Sequence, residues 1–173
     1  MDKLIFNTLL ILTLIIMYLY FNKKSKIFGR PAWYSNKKLI SWELDGKDTS
    51  QQPFDIYSFT HFSSGILVYL ICKYLNFTDV ISFYITVILA LVFEVVENTP
   101  YIIRKYRENK EYKNYTGDSM ANITGDIISL VLGIYFYKTF PEISPYYLVI
   151  SEILLSNYKA SMYYLASGII KNT

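Results

Sequence analysis

Residues 93–126 read FEVVENTPYIIRKYRENKEYKNYTGDSMANITGD. The stretch lies between two apolar runs, 80–93 and 127–137, of fourteen and eleven residues. A helix that crosses a bilayer needs roughly 20. To reach that length, the first run must continue through Glu94, Glu97 and Asn98. The second must begin near Ser119 and take in Asn122 and Asp126. The acids then lie inside two spans, where an unpaired ionisable group costs about 2.5–3.5 kcal/mol at mid-span.

Working outward, three more apolar stretches appear, at 4–21, 56–75 and 146–170. A soluble domain can also be 53% hydrophobic, so the clustering decides the class and not the fraction. The predicted fold is all-α: a polytopic integral membrane helical bundle, one membrane domain over 1–173. Its five spans are placed at about 4–21, 56–75, 80–99, 119–138 and 146–170. The apolar core at 4–21 is too long for a cleaved signal peptide and is followed by FNKKSK, so it reads as an uncleaved anchor. Glu152 and Lys159 are the weak points of the last span. Cys72 is the sole cysteine, which excludes a disulfide framework.

These spans sort the positive charges. Thirteen of the seventeen Lys and Arg fall on one side, in the loops 22–55 and 100–118 and at Lys171. Lys3, Lys73 and Lys138 fall on the other, and Lys159 lies within the last span. The positive-inside rule puts the basic loops and the C-terminus in the cytoplasm, and the N-terminus outside.

Counted from that side at ~1.5 Å per residue, His61 lies roughly 9 Å deep, Glu94 about 8 Å and Asp126 about 11 Å. Glu94, Glu97, Asn98 and Tyr101 share one helix face by spacing, and so do Asp118, Asn122 and Asp126. Asp55, Ser58, His61, Phe62 and Gly65 trace a face of the second span. None of these faces suits lipid, so they are expected to meet in one interior cluster. Crowded carboxylates resist ionising together, so the cluster is expected to hold a proton or a cation. Pro100 disfavours helix at Thr99 and ends or kinks the third span. Asp118 is placed to cap the fourth. Arg104 and Arg107 are placed to neutralise Glu97 and Asp118 or to hold an anion.

The runs SFTHFSSG, EVVENTPYIIRKYR and YTGDSMANITGD resemble a family of small bacterial multi-pass membrane proteins known as domain of unknown function 2585. The likeness covers about residues 55–140. It rests on His61, Glu94, Glu97, Asn98, Pro100, Ile103, Arg104, Tyr106, Arg107, Tyr115, Gly117, Asp118, Ser119, Asn122 and Asp126. Thr60, Phe93 and the absence of cysteines from the first loop depart from that pattern. VanZ-like membrane proteins are a looser likeness. The closer resemblance implies a membrane location and a shared site, and it implies no activity.

His61, Glu94, Glu97 and Asp126 are therefore the candidate catalytic residues. Asn98, Arg104, Arg107, Asp118, Ser119 and Asn122 are the candidate binding residues. The cofactor is not specified. A divalent metal would find one imidazole among carboxylates at His61, Glu94 and Asp126. The expected partners are the lipid bilayer and an anionic lipid headgroup on the basic segment, with no nucleic acid. GDSM at 117–120 is similar to a lipase nucleophile block, but that block needs a strand-to-helix turn. A single histidine excludes histidine-rich desaturase chemistry. Three functions fit: a site that binds or modifies a lipid or other amphiphile, a structural or assembly protein whose polar network fixes packing, and a small transporter or channel subunit.

Overall fold

The computed structural model describes residues 39–42, 50–108 and 112–162, together with Thr8, Ile11, Leu12, Ile15 and 18–20. Those seven N-terminal residues are helical. The rest of the first expected span, most of the loop 22–55 and residues 163–170 of the last span lie outside the described residues. The described chain is all-helical: α1 Ser58–Tyr74, α2 Asp79–Glu97, α3 Pro100–Glu108, α4 Met120–Thr139 and α5 Ser144–Asn157. Among the described residues there is no strand, only an isolated bridge between Ile40 and Phe54.

Two helices, α2 and α4, are long and apolar enough to cross a membrane. Five crossings are not all visible in this way. α1 has 17 residues and α5 has 14, so they rise about 26 Å and 21 Å. The last span is not one helix over 146–170. It stops at Asn157, where Lys159 adopts a left-handed φ of 55° and Ala160 N–H closes onto the Leu155 carbonyl.

The helices run up and down between two ends. At one end the turns 75–78 and 140–143 are held by Asp79, whose carboxylate meets Lys73 at 2.7 Å and Lys138 at 3.4 Å. The other, polar end carries residues 50–57, α3, the loop 112–119 and the turn after α5. The Tyr112 hydroxyl donates to the Lys159 carbonyl at 2.6 Å and ties that loop to the end of α5.

Pro100 does not kink α2. It opens α3, the first-turn position where its missing N–H costs nothing. α2 ends at Glu97, and the Asn98 N–H closes onto the Glu94 carbonyl.

The closest helix pair is α1 with α4. A Cβ at Gly65 would overlap the Leu130 carbonyl, and one at Gly133 would overlap the Phe62 carbonyl. Small residues let two backbones touch, which favours packing where lipid supplies no hydrophobic drive. The main apolar core, with Tyr69, Leu91, Leu130 and Ile134, fills the space between α1, α2 and α4. The outward faces are apolar too: Ile88, Val92 and Val96 on α2, Leu132 on α4, and Val149, Ile150 and Ile153 on α5 are all exposed.

Because the α1–α4 contact is backbone to backbone, it cannot absorb a side chain. Gly65→Leu and Gly133→Leu should each cost more than about 3 kcal/mol, read as lost monodisperse yield and lowered Tm in detergent. Leu132→Ala on the outer face should leave both unchanged. Wild-type behaviour of either glycine variant would disprove the contact.

Candidate functional site

The polar end is assembled by residues that bond backbone from elsewhere in the chain. Asn98, at the end of α2, makes a reciprocal pair with Asp118. Its Nδ2 donates to Asp118 Oδ2 at 2.6 Å, and its Oδ1 accepts from the Asp118 N–H at 2.7 Å. Nδ2 also donates to the Glu94 carbonyl at 3.0 Å, so the side chain is bound at both ends. The Tyr115 hydroxyl donates to both Asp118 oxygens, at 3.0 and 3.1 Å. Asp118 therefore does not cap α4, as its position in sequence suggested. Its carboxylate is taken up by Asn98 and Tyr115, and Gly117, at φ 90°, turns the chain ahead of it. The cap is Ser119, whose Oγ accepts from the Asn122 N–H at 3.1 Å.

Residues 50–55 wrap the start of α4. The Ser119 N–H donates to the Ser50 carbonyl and the Ser119 hydroxyl to the Gln51 carbonyl, both at 2.9 Å. Asn122 Nδ2 reaches the Gln52 carbonyl at 3.0 Å and Asp55 Oδ2 at 3.3 Å. Ser119 is fully buried and committed to these bonds. Asp55 Oδ1 accepts from the Tyr57 and Ser58 N–H groups and secures the start of α1.

A second group of side chains is brought together without closing its hydrogen bonds. His61 Nδ1 is 3.7 Å from Glu94 Oε1, and His61 Nε2 is 3.8 Å from Asp126 Oδ2. Both gaps exceed hydrogen-bond length. Glu94 is 1% exposed, and neither carboxylate oxygen has a hydrogen-bond partner. Asp126 is fixed by the Ser58 hydroxyl at 3.1 Å. The Phe93 ring packs edge-on against the imidazole, with centroids 6.2 Å apart. Ligand atoms of His61, Glu94 and Glu97 lie within 4.8 Å of one another. The trio that could hold a metal thus contains Glu97 where the sequence suggested Asp126, because Asp126 sits on the other imidazole nitrogen.

His61, Glu97 and Asp126 line a cavity of about 420 Å³, the size of a small-ligand pocket. Its lining sorts by depth. Tyr57, Tyr106, Tyr115, Asp118 and Asn122 stand at the polar end. Val68, Leu89, Ala90 and Leu130 line the inner part, about 15 Å along the helices, with Thr86, whose hydroxyl is taken up by the Ser82 carbonyl. Among the described residues, no lysine or arginine lines the cavity. Arg104 is exposed and ion-pairs with neither Glu97 nor Asp118. Arg107, also exposed, donates from Nε to the Tyr115 carbonyl at 2.6 Å and closes the loop onto α3. The expected neutralisation of the acids by these arginines does not occur.

Sequence reasoning missed Gln51, Gln52 and Tyr112, and it named Tyr106 and Tyr115 only through the family resemblance, with no role. Tyr106, Tyr112 and Tyr115 pack with Ile103 as a separate buried cluster. Their spacing within an otherwise charged segment was the available signal. Burial, then the neighbouring Asp118, holds the Tyr115 phenol well above its ordinary range. Burial, then Glu97, does the same for Tyr106. Both remain neutral donors.

Two outcomes follow from this network. Asn98→Ala should cost about 3 kcal/mol, because it strips a buried carboxylate of its amide partner; an unchanged Tm would disprove the pairing. Burial pushes the Asp55 carboxyl up to about 7, whereas an aspartate in the unfolded chain ionises near about 3.9. Between these values the unfolded chain releases the proton and the folded chain keeps it, so stability falls as pH rises through the window. Asp55→Asn should flatten that slope in thermal melts run at successive pH values; an undiminished slope would assign it to other groups.

The sequence of this chain is similar to several proteins named UPF0314 protein. That of Novosphingobium aromaticivorans is 30% identical over 122 residues, covering 65% of this chain and 62% of the relative. That of Sphingopyxis alaskensis is 29% identical over 109 residues, covering 61% and 58%. That of Agrobacterium fabrum is 32% identical over 108 residues, covering 60% and 54%. The chain thus spans somewhat over half the length of these relatives. No solved structure matches it. The sequence model of the family described as protein of unknown function (DUF2585) matches residues 26–161, a span that contains every residue of the polar end, and the chain belongs to that family.

Proposed function

We propose that this protein is a polytopic membrane protein that binds an amphiphile, head at the polar end and tail along the inner cavity. The observation that carries this reading is the cavity itself, polar where the helices end and mainly apolar about 15 Å further in. A water-soluble substrate has no use for the inner part. The membrane setting is supported by α2 and α4 and by the apolar outer faces of α2, α4 and α5. Facing water, that much contiguous apolar surface would drive association. We place five segments in the bilayer, the segment at 4–21 together with α1, α2, α4 and α5. The polar end, with its basic loops, faces the cytoplasm. Exposed Arg104 and Arg107 then lie at headgroup level, where anionic lipid attracts them.

A purely structural role explains one half of the polar network and fails for the other. Asn98, Asp118, Ser119 and Asn122 are bound in ways that fix helix positions. Glu94 is buried without a hydrogen bond, and a network kept only for packing gains nothing from such a member. Whether the site only binds or also transfers a proton to the head would rest with His61, Glu94, Glu97 and Asp126.

The test is lipid retention. The full chain, purified in mild detergent, should carry an amphiphile enriched over the host lipid extract by mass spectrometry. Ala90→Phe fills the inner cavity and should lower that retention at least about fivefold while leaving the protein monodisperse. A wild-type lipid content that mirrors the host bilayer would sink the reading, as would retention untouched by Ala90→Phe.

A further inference from the structure

We infer that His61, Glu94 and Glu97 form a binding site for a divalent transition-metal cation, with Asp126 as the residue that orients the imidazole. Three features point the same way. The first is spacing. Metal–ligand bonds of about 2.0–2.2 Å put neighbouring ligand atoms about 3.0–3.5 Å apart. The 3.7 Å between His61 Nδ1 and Glu94 Oε1 is too long for a hydrogen bond and close to such an edge. All three residues offer atoms within 4.8 Å of one another, so small side-chain rotations complete the set.

The second feature is the state of Glu94. It is 1% exposed, and both its oxygens are buried without a hydrogen-bond donor. Among the described residues, the other carboxylates at the polar end that are buried this deeply, Asp55, Asp118 and Asp126, each accept at least one hydrogen bond. A desolvated carboxylate needs a proton or a cation. Among the described residues, no lysine or arginine lines the cavity to serve as that cation.

The third is Asp126. A metal-bound histidine usually donates its other ring N–H to a carboxylate, which fixes the tautomer. Asp126 Oδ2 faces His61 Nε2 at 3.8 Å, and Ser58 holds Asp126 from the opposite oxygen. With the proton on Nε2, the Nδ1 lone pair points to the Glu94 side. One imidazole with two carboxylates suits a borderline ion such as Mn²⁺ or Zn²⁺. His61 and Glu97 also line the cavity. On the amphiphile reading above, an anionic head-group oxygen takes the coordination position that faces the cavity, and an acidic pocket can then accept a negatively charged head.

The experiment is Mn²⁺ binding to the full chain in detergent, stripped with EDTA and dialysed against MnCl₂. Elemental analysis should give about one Mn²⁺ per chain, and binding should raise Tm by mass action. Pulsed EPR should show ¹⁴N coupling from the imidazole, absent in His61→Gln. Glu94→Gln should weaken binding at least about 100-fold, and Asp126→Asn about 10–100-fold with the nitrogen coupling kept. Wild-type protein that binds no Mn²⁺ would overturn the site, and so would Glu94→Gln binding like wild type. If Glu94→Gln does not fold, the wild-type nitrogen coupling decides by itself, and its absence overturns the proposal. Metal binding without a retained amphiphile upholds this site and removes only the amphiphile reading; a retained amphiphile without metal binding does the reverse.

Discussion

The reciprocal hydrogen bonds between Asn98 and Asp118 hold the polar end together. Between these residues the chain leaves α2, runs through α3 and its loop, and returns to start α4. Two bonds of 2.6 and 2.7 Å close that excursion. The partners sit where water is scarce, so each would be costly to leave alone. Once they are joined, the start of α4 has one position relative to the end of α2. Residues 50–55 then pack onto that start, and α1 follows from Asp55. The positions of His61, Glu94 and Asp126 are consequences of this clasp.

The polar residues therefore divide by duty. One set is saturated with short bonds and sets geometry. The other is held at distances too long for hydrogen bonds, with a buried carboxylate left open. Folding alone would favour closing those gaps. That they stay open while the surrounding scaffold is closed is the physical reason to read a site into one set and a framework into the other.

Much of this was legible in the sequence, because membrane depth and helix period are both simple rulers. The lengths of the apolar runs forced Glu94 and Asp126 inward, and counting residues put them level with His61. The period of the helix put Asn98 and Asn122 on inward faces. What could not be read depended on contacts between distant segments. Asp118 looked like a helix cap because a carboxylate before a helix usually is one; only the fold shows that Asn98 claims it first and leaves the cap to Ser119. Arg104 and Arg107 looked like counter-ions because they lie in the chain between Glu97 and Asp118, but Pro100 begins a new helix and both are exposed. Residues 50–55 carry no periodic signal, so their wrapping of α4 had no trace in pattern.

The glycine contact between α1 and α4 bears on how the site can adjust. Gly65 lies one turn from His61, and the Leu130 backbone it touches lies one turn from Asp126. Backbone meets backbone there, so the spacing of His61 and Asp126 is set like the fixed jaw of a calliper. α2, which carries Glu94 and Glu97, meets the other two through side chains such as Leu91, which can repack. Any change in the gap around His61 falls to that sliding jaw. The tool is graduated by two glycines, and its opening is measured on a single helix.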